Sequence, residues 1–181
     1  MTSFARKAGF TLASLIVACA LPATAATKAD YEATKDRAKA DYQVASDRCK
    51  TLAGNTKDIC VAEAKAARTR ADETAEADYK NTPKAREEAA ENIAEADYDV
   101  AKQRCDAKTS NAKDVCLKEA KAAEVKAKAD AKVATKTDSA RADAAGDKRD
   151  ANYKVAMEKC DGFSGDTKDA CQKSAKANFG K

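Results

Sequence analysis

The residues of this chain whose types and spacing are suited to chemistry are its cysteines. The 181-residue sequence contains seven cysteines and no histidine. Six of the cysteines form three pairs, with ten residues between the two members of each pair. These pairs are Cys49 and Cys60, Cys105 and Cys116, and Cys160 and Cys171. Paired thiols can form a disulfide, bind a metal ion or catalyse thiol exchange, and the surrounding residues decide among these.

Metal binding and redox catalysis are both disfavoured by the neighbouring residues. Zinc sites use closely spaced Cys or His ligands, and this chain has neither a CxxC motif nor a histidine. A redox-active thiol needs a basic neighbourhood that stabilises the thiolate. An aspartate instead lies two residues before the second cysteine of each pair, at Asp58, Asp114 and Asp169. We therefore predict no metal site, and we predict that the six cysteines have a structural role.

No catalytic constellation can be assembled from the other polar residues. Nucleophilic catalysis usually pairs a nucleophile with a general base, most often histidine, which is absent. The acidic residues are scattered among lysines in the pattern of solvated helix faces. The sequence predicts a non-enzymatic protein with no catalytic residues and no cofactor.

The N-terminus has the order of features found in secretory signal peptides. Arg6 and Lys7 precede an apolar run over residues 8–21, and Ala23-Thr24-Ala25 supplies the small residues that a signal peptidase reads. The run is about fourteen residues long, whereas a membrane-spanning helix needs about twenty. We predict a signal peptide over residues 1–25, a mature chain from Ala26, and a periplasmic or secreted location.

A second processing route remains open at Cys19. Ile16-Val17-Ala18-Cys19 resembles a bacterial lipoprotein box, in which the cysteine is lipidated and becomes the new N-terminus. That route would give an outer-membrane lipoprotein with a lipid anchor at Cys19. The ordinary cleavage site that follows favours the unlipidated form. In either case the chain would leave the cytoplasm for an oxidising compartment, in which disulfides form and persist.

The charge balance argues against nucleic acid as a partner. The chain has 34 basic and 30 acidic residues, a net charge of +4. Removal of Arg6 and Lys7 with the signal lowers this charge to +2. A polyanion-binding protein needs a one-sided basic surface, and the two signs are interspersed here. We expect protein partners in the cell envelope.

A threefold internal repeat organises the chain after residue 26. Its shared pattern is Tyr-x-Val-Ala-x2-(Arg/Lys)-Cys-x10-Cys, with (Asn/Asp)-x-Lys-Asp ahead of the second cysteine. The tyrosines that begin the units are Tyr42, Tyr98 and Tyr153, spaced 56 and then 55 residues apart. Tyr, Ala and Cys at i, i+3 and i+7 share one helical face. Large apolar residues are too few for one ordinary globular core. The sequence thus predicts an all-α fold of three antiparallel helical hairpins in tandem, extended or loosely bundled.

Helix-ending residues set the predicted boundaries. Thr82-Pro83 is typical of an N-cap and first helical residue, and Gly146 is expected to end a helix. The predicted hairpins therefore span residues 28–80, 83–145 and 147–181. Their second arms are expected to start at N-caps, namely Asn55, Asn111 and Asp166. Residues 130–147, rich in Lys, Ala and Asp, fit either an ordered arm or a frayed, solvated linker.

The repeat also selects one disulfide pairing. Six cysteines allow fifteen pairings. If each unit is one hairpin, its two cysteines lie at the end of one arm and the start of the next. We therefore predict the bonds Cys49–Cys60, Cys105–Cys116 and Cys160–Cys171. Each should stabilise its thinly cored unit by roughly 3 kcal/mol.

The Ala-Asp-Tyr elements, the Ala/Lys/Asp-rich helices and the N-terminal pattern resemble small proteobacterial envelope proteins labelled TolA-like. The resemblance covers Lys28 to about Ala145 and is one of composition. It does not extend to the membrane anchor or globular C-terminal domain of TolA itself, and it transfers no site residues. A cysteine pair around Gly165-Asp166 is also similar to the PsiF repeat, whose cysteines are further apart.

Two functional classes are compatible with these features. The first is a periplasmic spacer or protein-interaction module, as the repeats and balanced charge indicate. The second is a small stress-protective protein that binds peptides or unfolded chains. An exposed apolar groove would favour the second class.

Overall fold

The computed structural model describes residues 26–181, and within that range the chain is all-α, as predicted. The predicted signal peptide and the possible lipid site at Cys19 lie outside the described residues. The five helices are α1 (Lys28–Cys49), α2 (Gly54–Lys80), α3 (Pro83–Asp106), α4 (Ser110–Asp161) and α5 (Gly165–Phe179). No helix in residues 26–181 combines the length and the apolar composition needed to cross a membrane.

The first and third helices begin at well-capped residues. Thr27 precedes α1 and forms a complete capping box with Asp30, in which each side chain accepts from the other residue's backbone N–H. Thr82 caps α3 by accepting a hydrogen bond from the backbone of Ala85 at 3.1 Å, and Pro83 follows it. The predicted start of a helix at Thr82-Pro83 is therefore confirmed.

The helix seams are built mainly from alanine. In the described residues, the buried apolar side chains are nine alanines, Val100 and three cysteines. Ala64 and Ala75 are three turns apart on one side of α2, and Ala66 and Ala77 are three turns apart on the other. Two residues correspond to about 200° of helix rotation, so these two seams lie on opposite sides of α2. Alanine lets the backbones approach closely on both sides.

Each described helix packs only against the helices before and after it in the chain. The contacting pairs are α1 with α2, α2 with α3, α3 with α4, and α4 with α5. In a closed bundle α1 would also meet α4. Together with the opposite seams of α2, this contact order makes α1 to α4 a single layer of helices with two solvent-facing sides.

The predicted helix break at Gly146 is wrong, because α4 runs without interruption for 52 residues. One glycine inside a helix costs only about 1 kcal/mol relative to alanine. The residues around Gly146 are mostly strong helix formers without proline, so that cost does not end the helix. The expected boundary between residues 145 and 147 consequently falls within α4, and the stretch 130–147 is helical.

Two helices pack against different ends of α4. Thr135 Oγ1 donates to the carbonyl of Pro83 at the start of α3, at 3.1 Å. Lys181, just past α5, pairs with Asp150 at 2.7 Å. Residues 136–149 lie beyond the ends of both partner helices, and most of them are exposed. At 1.5 Å per residue, α4 is about 78 Å long.

Candidate interaction surface: the three disulfide turns

The three predicted disulfides are present and have the same geometry. Cys49–Cys60, Cys105–Cys116 and Cys160–Cys171 each join Cα atoms 5.6 Å apart. We call the segments 49–60, 105–116 and 160–171 the first, second and third disulfide turns. In each turn the first cysteine is buried and the second is half-buried. The sulfur bond therefore lies in the seam, and the intervening residues project from the end of the helix pair.

A residue with positive φ reverses the chain in every disulfide turn. Gly54, Ser110 and Gly165 occupy equivalent positions with φ of 56°, 51° and 54°. Glycine adopts this left-handed conformation without the steric cost that a Cβ atom brings. Ser110 is thus the one member of the three that bears this cost.

The left-handed residue also corrects the predicted N-caps. Asn55, Asn111 and Asp166 lie inside helices α2, α4 and α5 and do not cap them. The N-cap positions are Ala53, Thr109 and Ser164, and none of the three makes a side-chain capping bond. The chain reverses one residue earlier than the Asn and Asp positions indicate.

Asn55 has a different role, which links the first two turns. Its Nδ2 donates to the carbonyl of Gln103 at 2.9 Å. Gln103 lies in the last turn of α3, where carbonyls lack partners within the helix. Glu63 of α2 also pairs with Arg104 of α3 at 2.6 Å. The first and second disulfide turns therefore lie side by side at one end of the layer.

The second and the third disulfide turns each contain an internal ion pair. Lys113 pairs with Asp106 at 2.9 Å, and the equivalent Lys168 pairs with Asp161 at 2.9 Å. The hydrogen bond to the partner carboxylate raises the pKa of each lysine above its usual range. In the first turn Lys50 replaces the aspartate and binds Asp47 of α1 instead. The Lys of the repeated motif thus has a shared structural role in two of the three turns.

The apex of each turn carries a residue that the sequence analysis missed. The third position after the first cysteine is Leu52, Lys108 or Phe163. Leu52 and Phe163 expose 38% and 51% of their surface. Both side chains are therefore accessible to another molecule. The register of the repeat would have identified the three equivalent positions.

Behind the turns, the repeated tyrosines meet a different partner in each unit. The Arg68 guanidinium lies 5.5 Å from the ring centre of Tyr42, and Lys121 Nζ lies 5.1 Å from that of Tyr98. Tyr153 instead meets Phe179 edge to face, with ring centres 6.1 Å apart. The tyrosines are half-buried at the helix seams, which supports a packing role.

Glu124 is the one buried charged residue in the described chain. Lys121 and Lys128 bind its carboxylate at 2.6 and 2.8 Å, and Lys128 also reaches Glu95 of α3 at 2.6 Å. Hydrogen bonds from Lys121 and then Lys128 lower the pKa of Glu124. Both lysines belong to α4 and neutralise this carboxylate, and Lys128 joins the cluster to α3 through Glu95.

The grooves between the helices are open and shallow. One of about 570 Å³ lies between α2 and α3 and is lined by Asp58, Lys65, Asp99 and Lys102 among others. One of about 430 Å³ between α1 and α2 is more apolar, with Tyr31, Ala67, Ala71 and Ala75 in its lining. Within residues 26–181, no three Cys, Asp or Glu side chains converge as a metal-binding group.

Comparison with protein-family models, with curated proteins and with solved structures found no match for this chain. Function is therefore inferred from the geometry of the chain itself.

Proposed function

We propose that this chain is an exported, non-enzymatic protein of the cell envelope that acts as a spacer and protein-interaction module. In this proposal three disulfide-stapled helical hairpins are arranged in tandem, and the disulfide turns are the contact surfaces. The pattern of residues 1–25 and the three disulfides support export.

The observation that carries the spacer role is the uninterrupted length of α4. Cys116 and Cys160, at its two ends, are about 66 Å apart at the helical rise of 1.5 Å per residue. The apex residues Lys108 and Phe163 are consequently held at opposite ends of one continuous helix. A compact bundle of the same length would bring such turns much closer together.

Export is tested by the mass and location of the native product. We expect a periplasmic or secreted chain whose intact mass begins at Ala26 and which contains three disulfides. A diacylglyceryl-modified chain beginning at Cys19 would indicate a lipoprotein instead. Cytoplasmic protein with free thiols would contradict the proposal.

The contact role of the turns is tested by cross-linking in intact cells. A tagged chain and its Leu52→Ser and Phe163→Ser variants would be cross-linked, and the captured proteins identified by mass spectrometry. Each turn variant should lose a subset of the envelope proteins captured by the original chain. Val44→Ser is the matched control, because Val44 is 53% exposed but lies on α1 away from the apices. Identical captured sets for all variants would contradict a contact role of these residues.

A second function, binding of peptides or unfolded chains, has one observation in its favour. The α1–α2 groove is lined largely by alanine and Tyr31, which suits apolar side chains. Suppression of client aggregation by the original chain, and its loss on Ala71→Glu, would support this alternative over the spacer.

A further inference from the structure

The first pair of helices, α1 and α2, is joined at both of its ends. At the turn, the Cys49–Cys60 disulfide joins the two helices. At the open end, the backbone N–H of Ala26 donates a hydrogen bond to the carbonyl of Asp78, at 3.4 Å. That carbonyl lies in the last turn of α2, where carbonyls lack partners within the helix. Ala26 therefore links the start of α1 to the end of α2.

The nitrogen that makes this contact is the one that signal removal would convert into an α-amino group. Hydrolysis of the Ala25–Ala26 peptide bond by a signal peptidase consumes one water molecule and leaves a carboxylate on Ala25 and an ammonium on Ala26. The ammonium retains a hydrogen that can be donated to the Asp78 carbonyl, and it adds a positive charge. The pKa of an α-amino group is ordinarily about 7.7–8.0, so the group is charged at neutral and lower pH.

The surroundings of Ala26 contain several groups that attract a positive charge. The C-terminal end of a helix carries roughly half a negative charge, which favours a cation beside the last turn of α2. Asp30 and Asp78 also line the groove that contains Ala26. Arg70 is the other charged residue of this lining, but it lies about 12 Å along α2 from Asp78 and is paired with Asp97.

Two groups oppose a positive charge at this position. The N-terminal end of α1 carries roughly half a positive charge, and Lys28 is two residues further along the chain. The Lys28 charge is paired with Glu32 at 3.6 Å. Tyr31, which also lines the groove, is uncharged near neutral pH. Because the partial charges of the two helix ends offset each other, the two aspartates leave a net attraction for the amino group.

We propose that signal removal creates an α-amino group at Ala26 that binds the C-terminal end of α2 and thereby completes the α1–α2 pair. This role depends on the proposed export, because only cleavage after Ala25 produces the amino group. The precursor and the mature chain then differ in stability, and the mature chain is the more stable of the two. The disulfide closes the pair at its turn, and the amino group closes it at its open end.

Acetylation of the Ala26 amino group tests the proposal by the sign of its effect. Acetylation removes the charge but keeps an N–H that can donate to Asp78. If the amino group bound nothing, acetylation would stabilise α1, since a positive charge at the N-terminal end of a helix is unfavourable. We expect the opposite result, a melting temperature lowered by about 1–4 °C near pH 6. The comparison uses the chain from Ala26 to Lys181 with its three disulfides intact.

The effect of acetylation should also depend on pH. Attraction by the aspartates raises the pKa of the amino group in the folded chain. Its stabilisation is therefore present below the unfolded-state pKa of about 7.7–8.0 and is lost as the pH rises through the higher folded-state value. The free and acetylated chains should consequently melt alike at about pH 10, where the free amino group is neutral.

Two aspartate variants locate the effect. Asp78→Asn removes one of the two carboxylates and should reduce the destabilisation caused by acetylation. Asp41→Asn is the matched control, because Asp41 is exposed on α1 and lies about 22 Å along the chain axis from Ala26. It should leave the effect of acetylation unchanged.

The outcomes for binding and for processing are separate. An acetylated chain that melts at the same or a higher temperature near pH 6 overturns the proposal, even if export is confirmed. An effect that Asp41→Asn reduces as much as Asp78→Asn overturns it equally. The mass of the native exported product tests processing by itself. A product that does not begin at Ala26 overturns the role of signal removal, whatever the melting comparison gives.

Discussion

At the scale of single residues, each disulfide turn contains one residue with positive φ, and the type of that residue determines the conformational free energy of the turn's backbone. Gly54 and Gly165 adopt positive φ without strain, whereas Ser110 carries a Cβ atom in the same conformation. A Cβ atom added at Gly54 would meet no atom within 4 Å, so a substitution there changes backbone energy alone.

Substitutions at the positive-φ residue should change the free energy of unfolding in opposite directions in the first and second turns. Gly54→Ala should destabilise the chain by roughly 1 kcal/mol, and Ser110→Gly should stabilise it by a similar amount. Gly146→Ala is the control for glycine removal itself, since it lies inside a helix and should stabilise by about 1 kcal/mol. Thermal or urea unfolding measures all three. A loss of stability on Ser110→Gly would contradict the left-handed assignment.

Asn55 and Asn111 are equivalent in the repeat but differ in their contacts. Asn55→Ala should cost about 1 kcal/mol because it removes the hydrogen bond to the carbonyl of Gln103. Asn111 is exposed at the start of α4, so Asn111→Ala should change the free energy of unfolding very little. Equal losses in urea unfolding would revive the N-cap interpretation of both residues.

Glu124 makes the stability of the α3–α4 seam dependent on pH. Its pKa is lower in the folded chain than in the unfolded chain, because Lys121 and Lys128 bind the carboxylate. The stabilisation is present above the unfolded-state pKa, about 4.3, and is lost as the pH falls through the lower folded-state value. Glu124→Gln should therefore reduce the drop in melting temperature on acidification, relative to the exposed control Glu32→Gln. Parallel pH profiles for the original chain and Glu124→Gln would contradict this role.

At the scale of elements, the sequence alone predicted the structural features that recur in all three repeats. The recurrence of Tyr and two Cys established the helices around each turn and the three cysteine pairs. The N-cap predictions at Asn55, Asn111 and Asp166 were wrong. Asn and Asp are common at N-caps, but the positive φ of the residue before each of them is set by the folded turn. Gly146 misled because the cost of one glycine is small against the helix propensity of its neighbours. The apex residues share no residue type, so only their register relates them.

The short helix α5 depends on its disulfide more than the longer helices do. It has 15 residues, and its seam with α4 contains Ala175, the Tyr153–Phe179 contact and the Lys181–Asp150 pair. Isolated helices of this length are marginal in water. Cys160→Ser/Cys171→Ser should therefore abolish the protection of α5 in hydrogen exchange while α1 to α3 stay protected.

The matched comparison is Cys49→Ser/Cys60→Ser in the first turn. α1 has 22 residues and keeps the stacked pair Tyr31 and Tyr79, with ring centres 5.0 Å apart, after that bond is removed. It should lose less protection than α5. Retention of full α5 protection without its disulfide would show that the seam alone holds the helix.

At the scale of the whole molecule, the order of helix contacts determines the shape. A compact domain of about 160 residues has a radius of gyration near 15 Å. A straight α4 of about 78 Å alone accounts for a radius of gyration near 22 Å. Small-angle scattering extrapolated to low concentration should therefore give a value well above that of a compact domain. A value near 15 Å would mean that α4 folds back on itself, with Gly146 as the obvious site.

The sequential contacts also have a consequence for how the disulfides form. Each of the six bonded cysteines pairs with its nearest neighbour along the chain, eleven positions away. For a chain that emerges N-terminus first, the correct partner is always the next of these cysteines to arrive. An oxidase that joins them in order of arrival produces the native set directly. We therefore expect that oxidation in this order needs no isomerase to reshuffle wrong pairs.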